Sequence, residues 1–132
     1  MKFSIVILGA PYTDQAAETA YRFAAATLAR GHSIYRLFFY HDGVHNASEL
    51  LTLPQDELQP ARRWRDLIQE HQLDAVVCIA AALRRGVIND TEARRFDKPA
   101  HNLGEGIKLA GLGELLDAAH MSDRLITFGA TS

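Results

Sequence analysis

Short, nearly all-apolar runs alternate with segments of helical periodicity along this chain, and that alternation restricts the fold more than any other feature. Phe3 to Leu8 is the first run, closed by Gly9. Apolar residues on both sides of the pleat suit a strand covered on both faces. Pro11 and Asp14 then signal a helix start. Ala16, Ala17, Ala20, Phe23, Ala24, Thr27 and Leu28 recur at helical spacing as far as Gly31, a natural C-cap. A second strand is expected over His32 to Tyr40. Strand, helix, strand implies parallel pairing and a right-handed crossover.

The pattern continues to the other end. Residues 41 to 59 are polar and irregular, with Gly43, Asn46 and Pro54, and read as the longest loop. Arg62 to His71 is expected to be a helix with Trp64, Leu67 and Ile68 inward, followed by a buried strand over Leu73 to Cys78. Ala80 to Arg85 reads as a short helix capped by Gly86, and Asp90 to Phe96 as a helical turn or two. Glu105 to Ala110 reads as a short strand, Gly113 to His120 as a helix, and Arg124 to Phe128 as a last strand. Strands alternating with helices predict an α/β sandwich on a mostly parallel sheet. The 132 residues suit one domain over 1–132, and 48% hydrophobic residues suffice for its core.

In such sheets ligands bind outside the carboxyl ends of the strands. Gly9-Ala10-Pro11-Tyr12, the loop from His41-Asp42-Gly43, and Cys78 all fall on that edge. Cys78 is the only cysteine, which excludes an internal disulfide and a CxxC redox or zinc pair. A helix starting beside it would present unpaired N–H groups that favour thiolate, the nucleophilic form. The competing reading is a core cysteine, because free cysteine is among the most buried residue types.

Other features carry less. Arg84 and Arg85 could offer positive charge to bound sulfur or to an acidic partner, or simply stabilise a helix C-terminus ahead of Gly86. His41 and His45 could serve as a base near a thiol, or be exposed loop residues. No HExxH spacing is present, so no metal is expected. Gly104-x-Gly106 and Gly111-x-Gly113 read as turns rather than a nucleotide loop. A formal charge of -2 argues against a basic nucleic-acid surface. The apolar N-terminal run is too short to span a membrane and lacks a cleavage signal, so a cytoplasmic protein is expected.

Three stretches together resemble a known family. They are Leu37-Phe38-Phe39-Tyr40-His41-Asp42-Gly43-Val44, Pro54-Gln55-Asp56-Glu57, and Val77-Cys78-Ile79-Ala80-Ala81-Ala82-Leu83-Arg84-Arg85-Gly86. With Glu92-Ala93-Arg94-Arg95, Leu109-Ala110-Gly111-Leu112-Gly113, Asp123-Arg124-Leu125 and Phe128-Gly129, they resemble the DsrE/TusD sulfur-carrier proteins over essentially the whole chain.

The resemblance implies a three-layer α/β/α sandwich with a mostly parallel five-stranded sheet. It implies that Cys78 is the catalytic cysteine, carrying sulfur as a persulfide with no cofactor and no metal. It implies TusC- and TusB-like (DsrF- and DsrH-like) sister subunits in a heterohexamer, a TusA-like donor and a TusE- or DsrC-like acceptor, without direct contact to nucleic acid. The sulfur would be destined for 2-thiouridine at the wobble position of tRNA. The alternatives are sulfur transfer in dissimilatory sulfur oxidation, and a non-catalytic scaffold subunit of the same complex.

Overall fold

The computed structural model describes residues 1–13, 15–54 and 59–129. The helix-start signal at Asp14 and the Gln55-Asp56-Glu57 stretch lie outside the described residues.

The strands are β1 (Lys2–Ile7), β2 (Ser33–Phe39), β3 (Ala75–Cys78), β4 (Ile107–Ala110) and β5 (Arg124–Phe128). The helices are α1 (Ala16–Ala29), α2 (Pro60–His71), α3 (Ile79–Arg84), α4 (Asp90–Arg95) and α5 (Gly113–Met121). The expected elements are therefore present, with ends shifted by one or two residues. The clear departure is the stretch read as an irregular loop. Its first part, His41–Ala47, is a 3-10 helix, in which Gly43, Val44, Asn46 and Ala47 are buried. The residues are polar by composition, yet their backbone is tied to neighbouring loops, which periodicity cannot reveal.

The sheet runs β4-β3-β2-β1-β5 and every pairing is parallel. From β1 to β4 the chain steps in one direction, so right-handed crossovers place α1 and α2 on one face. The step from β4 to β5 runs back across the sheet and sends α5 to the opposite face. Side chains agree. Phe39 meets Trp64 of α2 edge to face at 5.2 Å, and Trp64 meets Tyr21 of α1 in the same way. Arg36, of opposite parity, binds Asp117 and the Glu114 backbone carbonyl on α5.

Near the start of β2 the register slips, so that Phe3 faces Ile34 but Ser4 faces Arg36. Tyr35 is the extra residue, a β-bulge that re-aims side chains. As a result Tyr35 and Arg36 both reach the Asp117 carboxylate. Arg36 is buried, and its guanidinium also pairs with Asp74 and Glu114. This cluster fastens α5 to the middle of the sheet, while Ile5, Ile7, Leu37, Phe39 and Trp64 fill the core towards α1 and α2.

Candidate functional site

Cys78 is the last residue of β3 and the N-cap of α3, with extended backbone at φ -60° and ψ 119°. It pairs with Ala110 at the end of β4. On the other side the last pair is Phe39 with Val77, so Tyr40 runs beside Cys78 just past the pairing. Residues in register share a face of the pleat. Cys78, Val76, Phe38 and Arg36 therefore point to the α5 side, away from Trp64. The sheet edge is the expected one. The exposure is not that of a free surface thiol: only 3% of Cys78 is accessible in the isolated chain.

The loop after β2 supplies the wall beside Cys78. Tyr40 donates its N–H to the Ile7 carbonyl at 3.0 Å, and Gly43 donates to Tyr40 at 2.9 Å. Gly43 is seated directly on the Ile7 carbonyl, where a Cβ would have no room. The buried Asn46 amide donates to the Gly9 and Gly43 carbonyls at 3.0 and 2.9 Å. Loops following β1 and β2 are thus knitted together through hydrogen bonds that neither could make alone.

His41 has φ +49°, a left-handed conformation uncommon outside glycine, and its ring stacks on Tyr40 at 4.1 Å. It is exposed, whereas His45 is half-buried. Arg84 is exposed and makes no ion pair or side-chain hydrogen bond among the described residues. Arg85 follows α3 directly and caps it, donating Nη1–H to the Ala81 carbonyl at 3.1 Å. It also donates Nε–H to Asp42 at 2.8 Å. That hydrogen bond holds the Asp42 carboxyl below its ordinary value. The helix-capping reading of Arg85 therefore holds. Its partner Asp42 was not legible in the sequence, because the two residues are far apart in the chain and no local pattern links them.

Away from Cys78, a cavity of about 560 Å³ opens between α1 and α2 at the end of β1, among Tyr12, Glu18, Tyr21, Asn46, Arg63 and Trp64. Arg63 pairs with Glu18 there and lies over the Tyr21 ring. Among the described residues no group of three or more His, Cys, Asp and Glu could hold a metal ion. No described helix is long and apolar enough to cross a membrane.

A parallel α/β sandwich whose one thiol closes an interior strand, on the edge where such sheets place their ligands, defines the class: a thiol-bearing α/β domain. The chain belongs to the DsrE/DsrF-like family, whose profile matches residues 1–128. It is 53% identical over 129 residues to a sulfurtransferase TusD homolog of Pseudomonas aeruginosa, covering 98% of both chains. It is 46% identical over 128 residues to the sulfurtransferase TusD of Erwinia tasmaniensis, covering 97% of this chain and all of that one (100%). A protein of Allochromatium vinosum that bears the name DsrE is 48% identical over 129 residues, covering 98% of this chain and 99% of its own. The crystal structure of the ychN protein from E. coli superimposes with a TM-score of 0.77 at 21% identity, covering 97% of this chain and 99% of that one, which supports the fold.

Proposed function

We propose that this protein is a sulfurtransferase subunit that carries sulfur as a persulfide on Cys78. The observation that carries the reading is the placement of the sole cysteine at the carboxyl end of interior strand β3, in a chain about half identical to sulfurtransferases of equal length. The Cys78 thiolate attacks the outer sulfur of a donor persulfide. The donor S–S bond breaks as the Cys78–S bond forms, and the donor leaves as thiolate and takes up a proton. An acceptor thiolate then attacks the outer sulfur of Cys78–S–SH and regenerates the Cys78 thiolate. Each step exchanges one S–S bond for another, so no redox cofactor is required.

Burial adds a condition. A thiol that is 3% accessible is reached only when the site opens or when partner subunits reshape it. This fits a subunit that works within a complex in the reducing cytoplasm, beside TusB- and TusC-like sisters, receiving sulfur from a TusA-like donor and passing it to a TusE-like acceptor. Three relatives that carry the TusD name favour tRNA 2-thiolation as the destination. The 48% identity to the DsrE-named protein supports the second reading, transfer in sulfur oxidation. Gene neighbours separate the two: a dissimilatory sulfite reductase nearby favours oxidation.

The carrier step is tested with a labelled persulfide donor and intact-mass analysis. Wild type should gain one sulfur atom and Cys78→Ser none. Equal labelling of the two proteins overturns the proposal.

A further inference from the structure

We infer that Asp42 and Arg85 are positioning residues for Cys78, joining the helix that starts at the thiol to the wall beside it. The inference rests on the persulfide reading and deepens it. α3 has only six residues, too few to hold its own geometry without packing. Its near end is Cys78 and its far end is Arg85. Ala81 and Ala82 pack it inward, but small side chains specify orientation weakly. Among the described residues, the Asp42–Arg85 pair is the polar side-chain tie between this helix end and the 3-10 segment.

The partner segment is itself held firmly. Gly43 sits against Ile7, Asn46 binds Gly9, and His41 keeps a strained backbone with its ring on Tyr40. Strain of this kind persists only where the surroundings over-determine a conformation. Arg85 is mostly buried, at 24% side-chain exposure, and makes two directed hydrogen bonds through its planar guanidinium. A rigid wall, a directed link and a short helix thus lead in sequence to the sulfur atom. The same pairing commits Arg85 to Asp42, so it is not a free positive charge for bound sulfur.

The test is single-turnover sulfur loading from a persulfide donor at varied donor concentration. Asp42→Ala and Arg85→Met should each lower the maximal loading rate about tenfold, the scale of a small misplacement at a reacting centre, with the half-saturating donor concentration unchanged. The double variant should be no slower than Arg85→Met alone, because Asp42→Ala removes only a contact that Arg85→Met already lacks. Arg85→Lys, which keeps the charge but not the two-pronged guanidinium, should recover only part of the rate, and Arg84→Met, which removes a neighbouring unpaired arginine, should leave it at wild type. Wild-type rates in both single variants, multiplicative losses in the double variant, or an Arg84→Met loss equal to that of Arg85→Met overturn the inference.

A wild type that loads no sulfur overturns the persulfide reading instead. Positioning is then read from alkylation of Cys78 by a small neutral haloacetamide. Faster alkylation in Asp42→Ala and Arg85→Met, but not in Arg84→Met, upholds it. Unchanged rates refute it.

Discussion

The Arg36 guanidinium on β2 lies 2.9 Å from the Asp117 carboxylate of α5, joining the middle of the sheet to the only described helix on that face that makes such an ion pair. Asp74 at 2.6 Å and Glu114 at 3.1 Å share the same side chain. Removing Arg36 takes the cation from Glu114 and leaves Asp74 and Asp117 with Lys108 and Tyr35 alone. Arg36→Met should therefore destabilise the fold by roughly 2–3 kcal/mol, less than for a fully buried pair because the carboxylates are partly exposed. Urea unfolding measures it, and an unchanged midpoint would refute the role given to the cluster.

The same groups set the response to acid. Burial works against the ionised form of Asp74, but hydrogen bonds from Arg36 and Lys108 outweigh it and hold the carboxyl below its ordinary 3.8. Hydrogen bonds from Tyr35 and Arg36 lower Asp117 likewise, and the Arg63 hydrogen bond lowers Glu18. A carboxyl lowered by folding stabilises the native state fully above its unfolded value, and that contribution is lost as pH falls through the folded value. Stability should hold level down to about pH 5 and decline below about pH 4. The decline should be shallower in Arg36→Met, which unfolding midpoints across this range would show.

Trp64 fills the space between α1, α2 and β2, 2% exposed, with Tyr21 and Phe39 edge-on against it. Trp64→Ala empties that space and should cost about 3–5 kcal/mol. Loss of the near-ultraviolet aromatic signal and an earlier thermal transition are the expected readings.

Gly43 has no room for a Cβ against the Ile7 carbonyl, and backbone cannot yield as a flexible side chain can. Gly43→Ala should cost about 1–3 kcal/mol, the range for forced overpacking. The disturbance should be local. Amide exchange should rise in His41–Ala47 while α5 keeps its protection.

Cys78 also has a packing role, being buried between Ala110 and the end of β2. Serine there places a hydroxyl in largely apolar surroundings, at about 1–3 kcal/mol unless it finds a partner. Cys78→Ser should be less stable than Cys78→Ala, while neither takes up sulfur. Equal loss of uptake despite unequal stability separates chemistry from folding.

β1 and β3 were legible because each is a short, nearly all-apolar run, and β5 matches its expected span at both ends. The 3-10 segment was not. Gly43 and Asn46 are buried against Ile7 and Gly9, and the exposed Asp42 meets Arg85, all distant in the chain. The bulge at Tyr35 was equally hidden, since alternation along β2 does not record which residue its neighbour skips.

For the site, the sequence by itself placed Cys78 at a strand end and a helix start, because local apolar periodicity and strand-then-helix order act over a few residues. The tertiary structure decided how the thiol is housed. It is covered rather than open, it faces the α5 side, and it stands beside Tyr40 with Arg85 tied to Asp42. Those features arise when loops from separate strands meet at one edge. Their contacts depend on chain segments brought together by packing, which no run of neighbouring residues encodes.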